Sequence, residues 1–348
     1  MNNKVRVAWV DVLKFLGIFA IYIGHFGNSS GKLYPFVFTY HVPMFFFAAG
    51  FFAPGKADEK FLTFAQKKTA QLLLPYVFFS LIALLVFTIL NDWGFIDFRE
   101  AFKSFIFGIR NKVYAASLWF IPCLYIVVVI DYLFLVLFKS RVTTYLLALL
   151  AYVASQTIFP NNPVVNPSWI MNIDSAMYYY LYYVLGKAVF PLLKEQSLFF
   201  SECWLKKLLI LITVLFVLAN YFNGSDWLIR IIGTVAPSLQ TFKPLTEVIY
   251  IFTILVLIFG NILLAMLLQK ISLLQKLGRE TLIFCGTENI FKIVLTQLLV
   301  LVGLKINLAN PLLTIIFSFL CLLLCNYFVV KFLSEYFPAY VGKIKQAQ

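Results

Sequence analysis

Ten apolar runs, each close to the roughly 20 residues a helix needs to cross a bilayer, fill most of this 348-residue chain. Their centres lie near 8 to 27, 36 to 53, 72 to 90, 117 to 138, 143 to 159, 173 to 193, 206 to 222, 245 to 268, 281 to 303 and 311 to 334. With 62% of residues hydrophobic, 12% charged and a mean hydropathy of +0.91, too little polar surface remains to coat a water-soluble body. A soluble globule, a disordered chain and a secreted disulfide scaffold are thereby excluded. Backbone polar groups in lipid must be satisfied within the segment, so the expected fold is all-α: one polytopic membrane domain over 1–348 with about ten transmembrane helices. The first run carries Asp11 and Lys14 and no small-residue cleavage site, and reads as a retained helix rather than a signal peptide. Pro54-Gly55, Asn91-Asp92, Asn161-Asn162-Pro163, Asn223-Gly224, Lys243-Pro244 and Asn310-Pro311 separate the runs with turn or helix-start chemistry.

The chain holds 28 Lys+Arg against 15 Asp+Glu, a net charge of +13. Alternating the ten runs across a membrane puts 17 of the 28 on the side of the termini, counting Lys331 at the cytoplasmic end of the last run, and 8 on the other, with Lys14, Lys187 and Lys292 deeper inside spans. The positive-inside bias therefore places both termini in the cytoplasm. It accounts for most of the excess charge without a nucleic-acid partner. The five cysteines (Cys123, Cys203, Cys285, Cys321, Cys325) lack metal-ligand spacing and read as small core residues, and no metal site is expected.

Two external loops stand out. Asp97-Phe98-Arg99-Glu100 has a capping-box pattern before apolar residues at helical spacing, which predicts an amphipathic helix on the outer surface. The segment 161–172 is uncharged until Asp174 and offers Asn161, Asn162, Asn166, Ser168, Trp169 and Asn172. Amides beside an aromatic suit a sugar, but a turn with a membrane-interface tryptophan fits equally.

Ionisable groups inside spans mark either a functional site or a neutralising pair. Lys14 and His25 are eleven residues apart, which returns to within about 20° of the same helix face and separates them by roughly 16 Å along the axis. That length matches an extended pantetheine arm, so an acyl-CoA from the cytoplasm could anchor its phosphates near Lys14 with its thioester near His25. Alternatively, Lys14 snorkels and pairs with Asp11, and His25 is an interfacial polar residue. The chain has two histidines, and His41 belongs at the same outer level; Pro43 is expected at the start of its span, with Ala48-Ala49-Gly50 admitting a neighbouring helix. Lys67, Lys68 and Gln71, at the cytoplasmic entrance to the third span, could meet phosphates, although topology alone also demands lysines there. Glu288 and Lys292, at i,i+4, are expected to neutralise each other; Asp131 lacks a cation on its own helix and is a site candidate.

At these residues the chain resembles the acyltransferase 3 family of integral-membrane acyltransferases, within it the branch similar to fucose 4-O-acetylases. The resemblance is carried by Arg6, Asp11, Lys14 and His25 at the family's spacing. Further blocks match in order: 41–51, Lys67-Lys68 to Pro75-Tyr76, Leu118-Trp119-Phe120-Ile121-Pro122, and Leu277-Gly278-Arg279-Glu280-Thr281-Leu282. It covers about 6–335. It implies a ten-helix enzyme of the plasma (inner) membrane that moves an acyl group, usually acetyl, from cytoplasmic acyl-CoA to a hydroxyl of an extracytoplasmic envelope glycan, with acetyl-CoA a donor substrate and not a resident cofactor.

On that resemblance His25 is the catalytic histidine assisted by Asp11, Lys14 is the motif's cation, and Lys67, Lys68 and Gln71 contact the donor. His41, Trp119, Asn166, Trp169 and Asp174 are the expected acceptor contacts. Gln71 stands where the family often has Arg, and Glu288 where many members have His. A transporter or flippase for a glycan or lipid-linked sugar is the rival reading from composition, but no internal repeat or matched pair of Gly/Pro-broken spans supports it.

Overall fold

A computed structural model describes residues 6–113, 116–194, 204–304 and 306–343. Helices and their connecting turns account for these residues, with no strand among them. In chain order the helices are α1 (Ala8–Gly24), α2 (Leu33–Gly50), α3 (Phe61–Lys68), α4 (Leu74–Leu90), α5 (Phe95–Phe107), α6 (Phe120–Phe138), α7 (Arg141–Thr157) and α8 (Ile173–Leu193). They continue with α9 (Trp204–Asn223), α10 (Trp227–Val235), α11 (Pro237–Gln240), α12 (Lys243–Leu268), α13 (Ser272–Arg279), α14 (Thr281–Leu301), α15 (Pro311–Cys325) and α16 (Lys331–Tyr336).

Seven helical stretches are long and apolar enough to cross a membrane: α2, α3–α4 as one 30-residue rod, the segment Ala116–Phe138, α9, α12, α14 and Pro311–Tyr336. The remaining three expected spans coincide with helices of a different character. Helices α1 and α7 have 17 residues each, about 26 Å of rise, a little under the hydrocarbon thickness of roughly 30 Å. Helix α8 has 21 residues but carries Asp174, Lys187 and five tyrosines.

Two sequence expectations need correction. The amphipathic helix α5 exists, but it starts at Phe95 with Gly94 as its N-cap and no side-chain cap. Asp97 is in its first turn, so the Asp97–Glu100 pair is not a capping box; Phe98 N–H donates to the Gly94 carbonyl instead. Pro43 is inside α2 rather than at its start, ten residues after Leu33; lacking an N–H, it leaves the Thr39 carbonyl without its helical donor.

The chain divides into two compact units, each discontinuous in sequence: Met1–Phe45, Phe190–Arg279 and Ile306–Leu322 in the first, Phe46–Val189, Glu280–Lys305 and Leu323–Gln348 in the second. In the first, α1 is buried nearly all round, with 14 of its 17 residues buried, which is why its apolar residues show no single stripe. Phe319 of α15 sets its ring edge-on to Phe15 and Phe19. Gly17 and Gly24, two turns apart on α1, leave room for Phe45 and Phe38 of α2. Helix α13 crosses α1 at backbone contact: a Cβ on Gly278 would stand 1.7 Å from the Asp11 carbonyl oxygen.

The second unit contains the small-residue crossing expected at Ala48-Ala49-Gly50. A Cβ on Gly50 would be 2.0 Å from the Tyr183 carbonyl oxygen, and one on Gly186 2.0 Å from that of Phe47. One turn away, the fully buried Asp131 of α6 accepts from Lys187 Nζ (2.8 Å) and from the Tyr180 hydroxyl (3.2 Å). Asp131 thus finds across the helix interface the cation it lacks on its own helix. Removing one member of such a pair leaves an uncompensated buried charge, about 3–5 kcal/mol. Lys187→Met should therefore lower the thermal midpoint of the detergent-solubilised protein sharply, while Asp131→Leu with Lys187→Met should restore most of the loss; a double variant no better than the single would contradict this assignment. Cys123, Cys285, Cys321 and Cys325 are buried; Cys203 is outside the described residues.

Candidate active site

The first unit holds Asp11, Lys14, His25 and His41. Asp11 is buried, and its carboxylate is the hub of a cation cluster. Oδ2 accepts from Arg6 Nε at 2.6 Å and lies 3.6 Å from Arg279 Nε, while Oδ1 is 3.6 Å from Lys14 Nζ. The hydrogen bond to Asp11 raises the Arg6 pKa above its ordinary range, against the partial desolvation that would lower it. Among the described residues three cations stand around this one carboxylate, and they are not sequestered: side-chain exposures are 58% for Arg6, 42% for Arg279 and 26% for Lys14. Such a cluster can take a phosphate by charge-assisted hydrogen bonds. Arg279 was not among the residues marked as contacts by the sequence. The available signal was its place after Leu277-Gly278, since only a glycine lets α13 come close enough for Arg279 to reach Asp11.

His25 caps the other end of α1, its backbone N–H donating to Ile21 O at 2.9 Å, and is half-buried. The helix is unbroken from Ala8 to Gly24, so the eleven-residue separation of Lys14 and His25 is a true axial distance of roughly 16 Å. Phe38 of α2 joins the two histidines: its ring centroid is 6.1 Å from His25 and 4.8 Å from His41. His41 is buried, with Nδ1 2.8 Å from the Val37 carbonyl oxygen. A carbonyl only accepts, so Nδ1 carries the proton and Nε2 is the basic nitrogen of the neutral ring.

The other expected contacts belong to the second unit. Lys67, in the last turn of α3, has Nζ 2.5 Å from Glu59 Oε2, and Lys68 Nζ donates to Gln71 Oε1 at 3.1 Å and lies over the Phe64 ring. Gln71 is in a π turn, Thr69–Leu73, that joins α3 to α4; π turns inside helices recur at functional sites. Glu288 Oε1 is 2.5 Å from Lys292 Nζ, the expected neutralising pair, and its Oε2 accepts from Ser117 just before Trp119.

Asp174 is buried, its oxygens accepting from the backbone N–H groups of Ser168 (2.8 Å) and Ser175 (2.9 Å), so its carboxylate shapes the loop before α8. Asn166 and Trp169 on that loop are exposed. Trp119 begins α6 and is buried. Asn172 ties this loop to its neighbours: Nδ2 donates to the carbonyls of Gly108 (2.7 Å) and Trp119 (3.1 Å), and Oδ1 accepts from Arg110 N–H.

A family model described as an acyltransferase domain matches residues 7–330, nearly the whole chain. No curated protein and no solved structure matches. Seven helical stretches long and apolar enough to cross a membrane give the matched region a membrane character. The chain belongs to the acyltransferase 3 family of membrane acyltransferases.

Proposed function

We propose that the protein transfers an acyl group, acetyl in the first instance, from cytoplasmic acyl-CoA to a hydroxyl of an extracytoplasmic envelope glycan. In this reading ten helices cross the plasma (inner) membrane with both termini in the cytoplasm, residues 1–348 act as a single catalytic domain with its core at about 6–335, and the chain belongs with the fucose 4-O-acetylase-like branch of the family. The observation that carries it is the arrangement along α1: three cations around Asp11 at one end, His25 at the other, and roughly 16 Å between.

The phosphates of acyl-CoA bind at Lys14, Arg6 and Arg279. The pantetheine arm follows α1 and brings the thioester to His25. A sugar hydroxyl is a poor nucleophile until its proton is removed in the transition state. His25 takes that proton as the hydroxyl oxygen attacks the thioester carbonyl carbon; the C–S bond breaks, and the CoA thiolate receives the proton as it leaves. Asp11 holds the cation cluster together rather than meeting the reacting atoms. His41, through Phe38, positions His25; in the second unit, Trp119, Asn166, Trp169 and the loop shaped by Asp174 are the contacts that the family resemblance and the loop's chemistry suggest for a glycan.

The test is transfer from labelled acetyl-CoA by the purified protein, together with O-acetyl analysis of envelope glycans by mass spectrometry in cells with and without the gene. Transfer dependent on His25 supports the proposal; sugar movement without acyl-CoA turnover would favour a transporter. Lys14→Ala should raise KM for acyl-CoA about tenfold, the worth of one charge-assisted contact of 1.5–3 kcal/mol reduced by solvent, with kcat largely kept. Lys14→Arg should stay within about threefold of wild type. Equal loss in both variants would argue against a phosphate anchor.

A further inference from the structure

Arg110, which neither the family motifs nor the charge count singled out, lies where the α5–α6 and α7–α8 connections of the second unit meet. Its guanidinium carbon is 4.5 Å from the centre of the Trp119 ring. Nη1 donates to the Val164 carbonyl, and the Arg110 backbone N–H donates to Asn172 Oδ1 at 2.7 Å. Next to it, Asn111 Nδ2 donates to Val165 O at 3.1 Å. Asn111, Met171 and Asn172 all have left-handed φ values, 67°, 52° and 54°. A side chain there disfavours that conformation, and such residues persist where surrounding contacts impose them. The arginine is therefore held in place by its neighbours.

A guanidinium has five N–H donors in a planar fork, and among the described residues one of Arg110's is engaged by protein. It is half-buried, and among the described residues no carboxylate is within ion-pair reach of it; Asp174, the acidic residue of the adjoining loop, directs both oxygens to backbone amides. Partial burial of a cation without a counter-charge is unfavourable, and a fork stacked on an indole is the arrangement that takes a carboxylate in bidentate fashion. The loop that accepts from Arg110 also carries exposed Asn166 and Trp169, the latter 50% exposed with its ring edge-on to Phe159 at 5.2 Å. An indole face with amides beside it fits the CH face and hydroxyls of a pyranose.

We infer that Arg110, stacked on Trp119 and tied to the loop that carries Asn166 and Trp169, forms a recognition site for a carboxylate-bearing sugar, so that the acceptor is an acidic glycan of the uronate class. The inference deepens the proposed function and rests on its premise that the acceptor is a glycan. Binding needs no acyl transfer, so the two can fail separately.

The experiment is calorimetric titration of the full-length protein in lipid nanodiscs with a galacturonic acid hexamer, its methyl ester, a neutral hexasaccharide and succinate. The acid should bind at least tenfold more tightly than its ester and the neutral sugar, and succinate should bind weakly. Arg110→Gln should abolish the preference for acid over ester, and Arg110→Lys, which keeps charge but not the fork, should retain a minor part. Equal binding of acid and ester by the wild type overturns the inference, as does a preference unchanged in Arg110→Gln. Succinate binding as tightly as the uronate overturns the sugar assignment. Should Arg110→Gln fail to fold, the wild-type comparison of acid with ester decides. An acid preference without any His25-dependent acyl transfer would overturn the acyltransfer reading alone; His25-dependent transfer to a neutral acceptor with no acid preference would overturn this inference alone.

Discussion

Replacing His25 by alanine is expected to lower acyl transfer by about 10²- to 10⁴-fold, the range a positioned general base contributes, while leaving membrane insertion and acyl-CoA binding intact. The separation of effects follows from the geometry. His25 is the C-cap of α1, beyond the last helical residue, and is half-buried, so truncating its ring removes little packing. The cations around Asp11 are at the far end of the same helix and keep their partners. The measurement is kcat with acetyl-CoA and a glycan acceptor, alongside KM for the donor. Full activity in His25→Ala would remove the residue from the mechanism. Labelled acyl-CoA without acceptor separates two forms of that mechanism: label retained on the wild-type protein but not on His25→Ala would indicate an acyl-histidine intermediate rather than base catalysis.

The second large effect is expected from a single methyl group. Gly278→Ala places a Cβ 1.7 Å from the Asp11 carbonyl oxygen and 3.1 Å from the Phe15 backbone nitrogen. Both are backbone atoms of a helix buried on nearly every side, and neither can rotate away as a side chain would. Overpacking costs about 1–3 kcal/mol where side chains can relax, and this site belongs at the upper end. The cheapest relief is for α13 to lift from α1, which withdraws Arg279 from Asp11 and weakens donor binding with stability. A lowered thermal midpoint together with a raised KM for acyl-CoA is the expected pair of results. Gly55→Ala is the control, since its nearest neighbour is the end of the flexible Arg141 side chain at 3.3 Å; similar behaviour of the two variants would refute the close-approach argument.

The Lys14–His25 relation was legible in sequence because both residues ride one continuous helix, where spacing alone sets face and distance. The Glu288–Lys292 pair was legible for the same reason. Asp131 was visible as an anomaly, but its partner Lys187 is 56 residues away on another helix, and no local periodicity encodes which helices meet. Arg279 had the same difficulty: its relation to Asp11 exists because Gly278 lets two backbones touch. The start of α5 was misjudged because Gly94, which has no side chain to signal a cap, begins the helix ahead of the conspicuous Asp97.

Hydropathy, charge bias and helical spacing are properties of short stretches of chain, and for this protein they were enough to establish membrane residence, the positions of its long helices, and one face of α1 carrying a cation and a histidine. Which cations surround Asp11, which ring lies between His25 and His41, and which indole supports Arg110 are pairings between distant segments. They depend on where small residues let helices approach and on which buried charges must find a partner in a medium that leaves none uncompensated cheaply, and only the tertiary structure decided them.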